Sequence, residues 1–342
     1  MDDIVENDDN IIELTDAEAE LYDRQIRLWG LESQKRLRSA KILLIGLNGF
    51  GAEVAKNIIL SGVRSITFLD DRELTELDIC SQFLAPKDGI GKNRAEASLP
   101  RAKSLNPMVD VIADTEGVDS KPDTFFINFD VVCASECSIK QFNRINTICR
   151  KEGVKFFAGD VWGMFGYTFA DLGTHEFVED VVQSKKIEQA NEGGDQPVQL
   201  GKDKFETVTT TVKKTSKFVH FENILEIDEN LPRDGEPYYL LRILLNFREK
   251  YGRDPLPSDQ SDTTSLKEQA AIVIEKYKLG NKIDHLMSEN LYGQISPVCA
   301  IVGGVMAQEI IKTVSQKQSP HNNLFLFNPD TMCGKILCLG QK

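Results

Sequence analysis

Residues 43–57, LLIGLNGFGAEVAKN, bring the sequence nearest to nucleotide chemistry. A strand-like run ends in Gly46, Asn48, Gly49 and Gly51 and passes into a helix-like run, the context in which a glycine loop can cradle phosphates at a helix N-terminus. Asp70 or Asp71 closes the next strand-like run, SITFLDD, where a ribose hydroxyl would be held. Against this stands Asn48, at the position where glycine normally lets the backbone approach phosphate. A side chain there is expected to obstruct or redirect the ligand, so the loop reads as architecture without competent nucleotide binding. In YDRQIRLWG, Arg24 and Arg27 alternate with the apolar anchors Tyr22, Ile26 and Trp29. An amphipathic helix explains that pattern, and an arginine fixed beside an aromatic can also clamp a phosphate with its planar donor fork.

The remaining reactive residue types carry less signal. Cysteines stand at 80, 133, 137, 149, 299, 333 and 338 with no C-x-x-C pair, so neither a disulfide framework nor a zinc site is indicated. A nucleophilic cysteine needs an accessible thiolate, and none is assigned from the count. The four histidines, His321 included, lack metal-ligand spacing, and no metal site is expected.

These residues need a framework, and the periodicity supplies one. The runs KILLIG (41–46), SITFLDD (65–71), VDVIAD (109–114), FDVVCAS (129–135) and VKFFAGD (154–160) read as strands alternating with helical segments at 51–62, 91–107 and 138–153. Their continuous apolar character fits parallel strands covered on both faces. MFGYTFADLG (164–173) extends the sheet, and Pro100 is expected to kink or divide its helix. Fold class is therefore α/β: a Rossmann-like, mostly parallel sheet flanked by helices. Residues 1–17 read as a flexible acidic tail and 180–204 as a mobile linker. Residues 205–221 read as strand-rich, and 237–252 and 265–280 as helices. In 296–316, Ser296 is the expected N-cap, with Pro297 in the first turn and small residues at 300, 303, 304 and 307 for close helix packing. NNLFLFNPDTMCGKILCLG reads as two strands around a turn.

Composition narrows the function classes. The chain has 342 residues, 41% hydrophobic and 27% charged, with a formal net charge of -13. That balance opposes wrapping nucleic acid, and no apolar run approaches the roughly 18 residues of a membrane span. The acidic N-terminus lacks the basic flank and apolar core of a signal peptide.

The segments YDRQIRLWGLESQKRLRSAKILLIGLNGFGAEVAKNIILSG, NRAEASLPRAKSLNPMVDV, VKFFAGDVWGMFGYTFADLG, SPVCAIVGGVMAQEIIK and PHNNLFLF carry a more specific message. Through them the chain resembles the adenylation-domain family of ubiquitin-like-protein activating enzymes, and within it the SUMO-activating branch. The resemblance spans roughly 18–175 and 291–342. It implies an adenylation-type domain in two parts, 18–175 and 291–342, with a family-type antiparallel extension and a reduced insert at 176–290.

Position by position, the resemblance implies the pseudo-active half of an adenylating pair. The ribose-binding acid corresponds to Asp70. A second acid falls at Arg72, an Asn-Arg pair at Cys80 and Ser81, the phosphate-binding lysine at Arg94, and a magnesium-associated aspartate near Cys137 or Glu136. Arg24 corresponds to the arginine that such halves donate to a partner's ATP phosphates, with Arg27 as a lesser candidate. ATP and Mg2+ would be bound mainly by a large catalytic subunit that also holds the thioester cysteine. SUMO would be the substrate, a conjugating enzyme would be reached through the complex, and the nucleus, with a cytoplasmic fraction, would be the location. The basic pairs Lys185-Lys186 and Lys213-Lys214 add little to that location. The NEDD8-activating branch and an NAD-dependent Rossmann oxidoreductase are the alternatives.

Overall fold

The computed structural model describes residues 13–186, 205–227, 231, 235–287 and 291–341. Three short helices come first: α1 (Asp16–Leu21), α2 (Asp23–Trp29) and α3 (Leu31–Ser39). Helix α1 starts inside the stretch expected as a tail because Thr15 and Glu18 close a capping box. The nucleotide-type unit follows as β1 (Lys41–Ile45), α4 (Gly49–Ser61) and β2 (Ser65–Leu69). Next come α5 (Arg94–Leu105), β3 (Asp110–Asp114), α6 (Asp123–Phe126), β4 (Val131–Ala134), α7 (Ile139–Glu152), β5 (Lys155–Trp162) and β6 (Phe165–Asp171). Helix α5 runs through Pro100 without dividing.

These strands join one eight-stranded sheet whose last two members are β9 (Leu324–Phe327) and β10 (Gly334–Leu337), in the order β10-β9-β6-β5-β4-β1-β2-β3. From β3 to β5 every pairing is parallel, and from β5 to β10 every pairing is antiparallel. Strand β1 shows why the apolar runs are continuous. Leu43 and Ile45 face one core with Phe142 of α7, while Ile42 and Leu44 face the other with Phe50 of α4. Both sides of the sheet are covered at β1, so no polar alternation is needed there.

The segment between β6 and β9 is partly ribbon and partly helix. Strands β7 (Thr174–Lys186) and β8 (Phe205–Lys217) pair antiparallel in register from Thr174–Lys217 to Lys186–Phe205. Residues 180–186, expected to open a linker, are therefore strand, and 187–204 lie outside the described residues. Helices α8 (Phe221–Leu225), α9 (Pro237–Tyr251) and α10 (Gln260–Tyr277) follow. Leu240, Leu244 and Phe247 of α9 join the core that holds Phe142 and Phe169.

Helix α11 (Ser296–Ser315) lies against α4. It is the one described helix long and apolar enough to cross a bilayer, with mean hydropathy 1.4, yet it packs into the core on the α4 side. Gly303 makes that packing possible, since a Cβ there would lie 2.8 Å from Cβ of Glu53. Ser296 is not the N-cap. The cap residue is Ile295, with no side-chain bond, and the Ser296 hydroxyl donates instead to the Cys80 carbonyl at 2.8 Å.

Candidate functional site

A cavity of about 470 Å³ opens at the carboxyl ends of β1, β2 and β4. Strand order reverses direction at β1, and open α/β sheets place their ligand crevice at such a point. Gly46, Asp70, Arg72, Arg94, Glu136 and Arg248 are among its lining residues. Location and size suit a ligand, so the chemistry of the lining decides what can enter.

Arg94 fills the polar floor. Its side chain is 4% exposed and meets three carboxylates. Nε donates to Asp70 Oδ2 at 2.8 Å, Nη1 to Asp78 Oδ1 at 3.1 Å, and Nη2 pairs with Glu136. Arg72 closes the ring with Nη1 at 2.7 Å from Glu136 Oε1. Burial works to discharge Arg94, but Glu136, Asp70 and Asp78 hold its pKa above the ordinary arginine value. Burial likewise works to raise the Glu136 carboxyl, and Arg94 and Arg72 outweigh it, leaving it at about 2. Asp70 is equally committed: Oδ2 accepts the Leu47 amide at 2.7 Å and Oδ1 the Arg72 amide at 3.0 Å. A ribose hydroxyl or a phosphate would have to displace pairs that are already formed and buried. Stripping one partner from such a pair costs about 3–5 kcal/mol.

The glycine loop is closed by a second device. Asn48 caps α4, with Oδ1 accepting the Gly51 amide at 2.8 Å, and Gln294 Oε1 accepts the Phe50 amide at 3.1 Å. Asn48 and Gln294 thus each consume a helix-terminal donor, rather than Asn48 merely crowding them. The glycines persist for packing. Gly46 has φ +82°, a Cβ on Gly49 would lie 2.1 Å from Ser81 Oγ, and one on Gly51 would lie 2.2 Å from the Gly46 carbonyl. Lining and loop do not fit ATP with magnesium in this chain. Among the described residues no group of three or more His, Cys, Asp or Glu could hold a metal ion.

Beneath the cavity is a buried polar centre that sequence reasoning missed. Asp160 of β5 accepts from Glu136 N at 2.8 Å, Asn48 Nδ2 at 3.3 Å and Gln294 Nε2 at 3.2 Å. Arg248, on α9, lies 2.8 Å from it and stacks over Trp162 at 4.7 Å. The available signal was a single acid inside the apolar run VKFFAGDVW.

Arg24 is elsewhere. It is exposed on α2 and makes no hydrogen bond or ion pair among the described residues, whereas Arg27 pairs with Asp23 at 3.0 Å. The helix under Arg24 is well anchored. Tyr22 is 2% exposed, and its hydroxyl accepts from Asn106 at 2.9 Å. Gln25 Nε2 donates to the Leu60 carbonyl at 3.0 Å, and Trp29 Nε1 to Gln34 at 3.0 Å. These anchors sit at the C-terminal end of α4, whose thirteen residues span about 20 Å, so Arg24 is not brought to this chain's own cavity. Beside it, Leu28 and Trp29 meet Gly304, Ala307 and Ile311 of α11 around an apolar recess of about 460 Å³.

No cysteine is set up as a nucleophile in the core. Burial raises Cys133 and pushes Cys137, Cys149 and Cys299 up to about 12. Cys80, Cys333 and Cys338 are exposed. His321 packs beside Glu309, with its backbone amide 2.6 Å from Glu309 Oε2.

Comparison with known proteins places this geometry. The ThiF family pattern matches residues 22–340. A protein from Xenopus laevis named SUMO-activating enzyme subunit 1 is 45% identical over 99% of this chain and 100% of its own length. The Homo sapiens protein of that name is 45% identical over 96% of this chain and 97% of its own. Among solved structures, that of selenomethionyl PaaA superposes with a TM-score of 0.57 at 16% identity, covering 94% of this chain and 83% of the other, a likeness of fold alone.

Proposed function

Because the chain belongs to the ThiF family, and to its SUMO-activating enzyme subunit 1 group, we propose that it is the non-thioester half of a heterodimeric SUMO-activating enzyme, inactive by itself. The pair uses ATP and Mg2+, bound mainly by the large catalytic subunit, to adenylate the carboxyl terminus of SUMO. That subunit's cysteine then attacks the adenylate, takes the modifier as a thioester with release of AMP, and passes it to a conjugating enzyme. The complex works in the nucleus, with a cytoplasmic fraction. Residues 18–175 and 291–342 form the adenylation-type domain and 176–290 its reduced insert.

One observation carries this reading: the polar floor of the chain's own pocket is filled by Arg94, while Arg24, without a partner among the described residues, stands on a fixed helix outside it. An arginine with five donors and no partner among the described residues, on a helix anchored by Tyr22 and Gln25, suits phosphates presented by another subunit. There it favours the charge that develops as the SUMO carboxylate attacks the α-phosphate and pyrophosphate leaves. Exposed Leu28, which lines the apolar recess, and the exposed Leu31, Leu60 and Ile301 of α3, α4 and α11 supply apolar surface on which that subunit would seat.

ATP–pyrophosphate exchange with SUMO tests the reading. We expect exchange by the reconstituted pair and none by this chain alone. Arg24→Ala is expected to lower it about 100-fold, in line with loss of one charge-stabilising donor, with assembly intact by gel filtration. Arg27→Ala is expected to change it less than threefold, since Arg27 is already paired. Robust exchange by this chain alone would overturn the reading, as would an unaffected Arg24→Ala pair.

A further inference from the structure

Helix N-termini attract anions because their first amides lack partners and the helix dipole points positive end outward. In this chain the first amides of α4 are already taken by side chains, and the helix terminus is not left without an anion. The Gly51 amide donates to the Asn48 side-chain oxygen and the Phe50 amide to that of Gln294. Each carboxamide then turns its NH2 group to the same atom, Asp160 Oδ1, at 3.3 and 3.2 Å. Two amide relays therefore connect the helix terminus to one buried carboxylate.

The other oxygen of Asp160 serves different elements. Oδ2 accepts the Glu136 amide at 2.8 Å, which fixes the turn after β4, where Glu136 takes φ +55°. It also meets Arg248 Nη2 at 2.8 Å. Arg248 is anchored in turn by Asp254 at 2.7 and 2.8 Å and by the Trp162 ring. One carboxylate, itself fully buried on β5, thus ties together the glycine loop, the turn after β4, the loop before α11 and helix α9.

We infer that Asp160 is a built-in anion that replaces a ligand's phosphate at the α4 terminus, keeping the glycine loop ordered without nucleotide and fastening α9 to it through Arg248. Asp160 is thus a positioning residue, and the inference holds whether or not Arg24 acts on a partner. Burial pushes the Asp160 carboxyl up to about 6, with Arg248 opposing the rise, so the group is charged at neutral pH. A buried carboxylate persists when paired and multiply hydrogen-bonded, and removing its charge leaves Arg248 uncompensated.

Hydrogen exchange read by mass spectrometry on the full chain tests this. In the unsubstituted chain, amides in 47–53 are expected to exchange slowly and at the same rate with or without millimolar Mg-ATP. Asp160→Asn keeps the shape and removes the charge. It is expected to speed exchange at least tenfold in both 47–53 and 240–250 while leaving 324–327 of β9 unchanged. Gln294→Met, at a partly exposed position, cuts one relay and is expected to speed 47–53 but not 240–250. This second variant keeps the inference falsifiable if Asp160→Asn does not fold. Three results would overturn it: protection of 47–53 by Mg-ATP in the unsubstituted chain, unchanged exchange of 47–53 in either variant, or equal acceleration in every segment.

Discussion

Arg94 and Glu136 show how one pair of side chains can decide what a cavity admits. Arg94 meets three carboxylates and Arg72 shares one of them, so the ring carries more negative than positive charge before any phosphate arrives. Its pH response follows from Glu136. The folded-state carboxyl titrates at about 2, below its ordinary 4.5, so its contribution to stability is fully present above 4.5 and is lost as pH falls towards 2. The shift corresponds to about 3 kcal/mol. Urea midpoints at pH 5, 4 and 3 are expected to fall more steeply for the unsubstituted chain than for Glu136→Gln, which has no such proton to take up; parallel slopes would refute this. At this scale the sequence was partly legible. Asn48 announced a loop unfit for nucleotide, but its tie through Nδ2 to Asp160, 112 residues away, follows no local pattern. Arg248 was hidden for the same reason, being an arginine in an ordinary amphipathic helix until the fold sets it against Trp162.

Elements were read more reliably than sites, because the two-sided burial of β1 and the capping signals of α7 are local. Ser138 and Gln141 close a capping box, and Gly153 ends the helix in a left-handed conformation. Misreadings occurred where tertiary contacts competed with local chemistry. The Ser296 hydroxyl reaches across to Cys80 instead of capping its own helix, and 180–186 gained strand structure from a partner strand beyond the linker. Helix α11 offers a paired test of packing. Gly303→Ala would push a methyl onto Glu53 and Phe50 and is expected to cost about 1–3 kcal/mol. Gly304→Ala meets nothing within 4 Å and is expected to gain up to about 1 kcal/mol through helix propensity. Urea unfolding of the isolated chain distinguishes the two, and equal effects would refute the packing account.

For the molecule as a whole, the crevice and its lining point in opposite directions. Topology supplies the place where α/β proteins bind nucleotides, and the side chains there are already satisfied by one another. Ligand present at 100 times its dissociation constant would stabilise a binder by about 2.7 kcal/mol, a shift of a few degrees in melting temperature. The isolated chain is expected to melt at the same temperature with Mg-ATP, with NAD or with neither, and a rise of several degrees with either would show a working site.

The seating of β9 between β6 and β10 has a consequence for how the chain matures. Strand β6 ends at residue 171, and the neighbour that covers its far edge begins at 324. While a ribosome is still making the intervening stretch, the emerging sheet carries Phe165, Tyr167 and Phe169 on a strand with an open, hydrogen-bond-hungry border. Such a border invites pairing with other nascent chains, and closing it requires a contact of very long sequence separation, which is slow. Synthesis of this protein should therefore depend on chaperones that shield strand edges until residues 324–337 arrive.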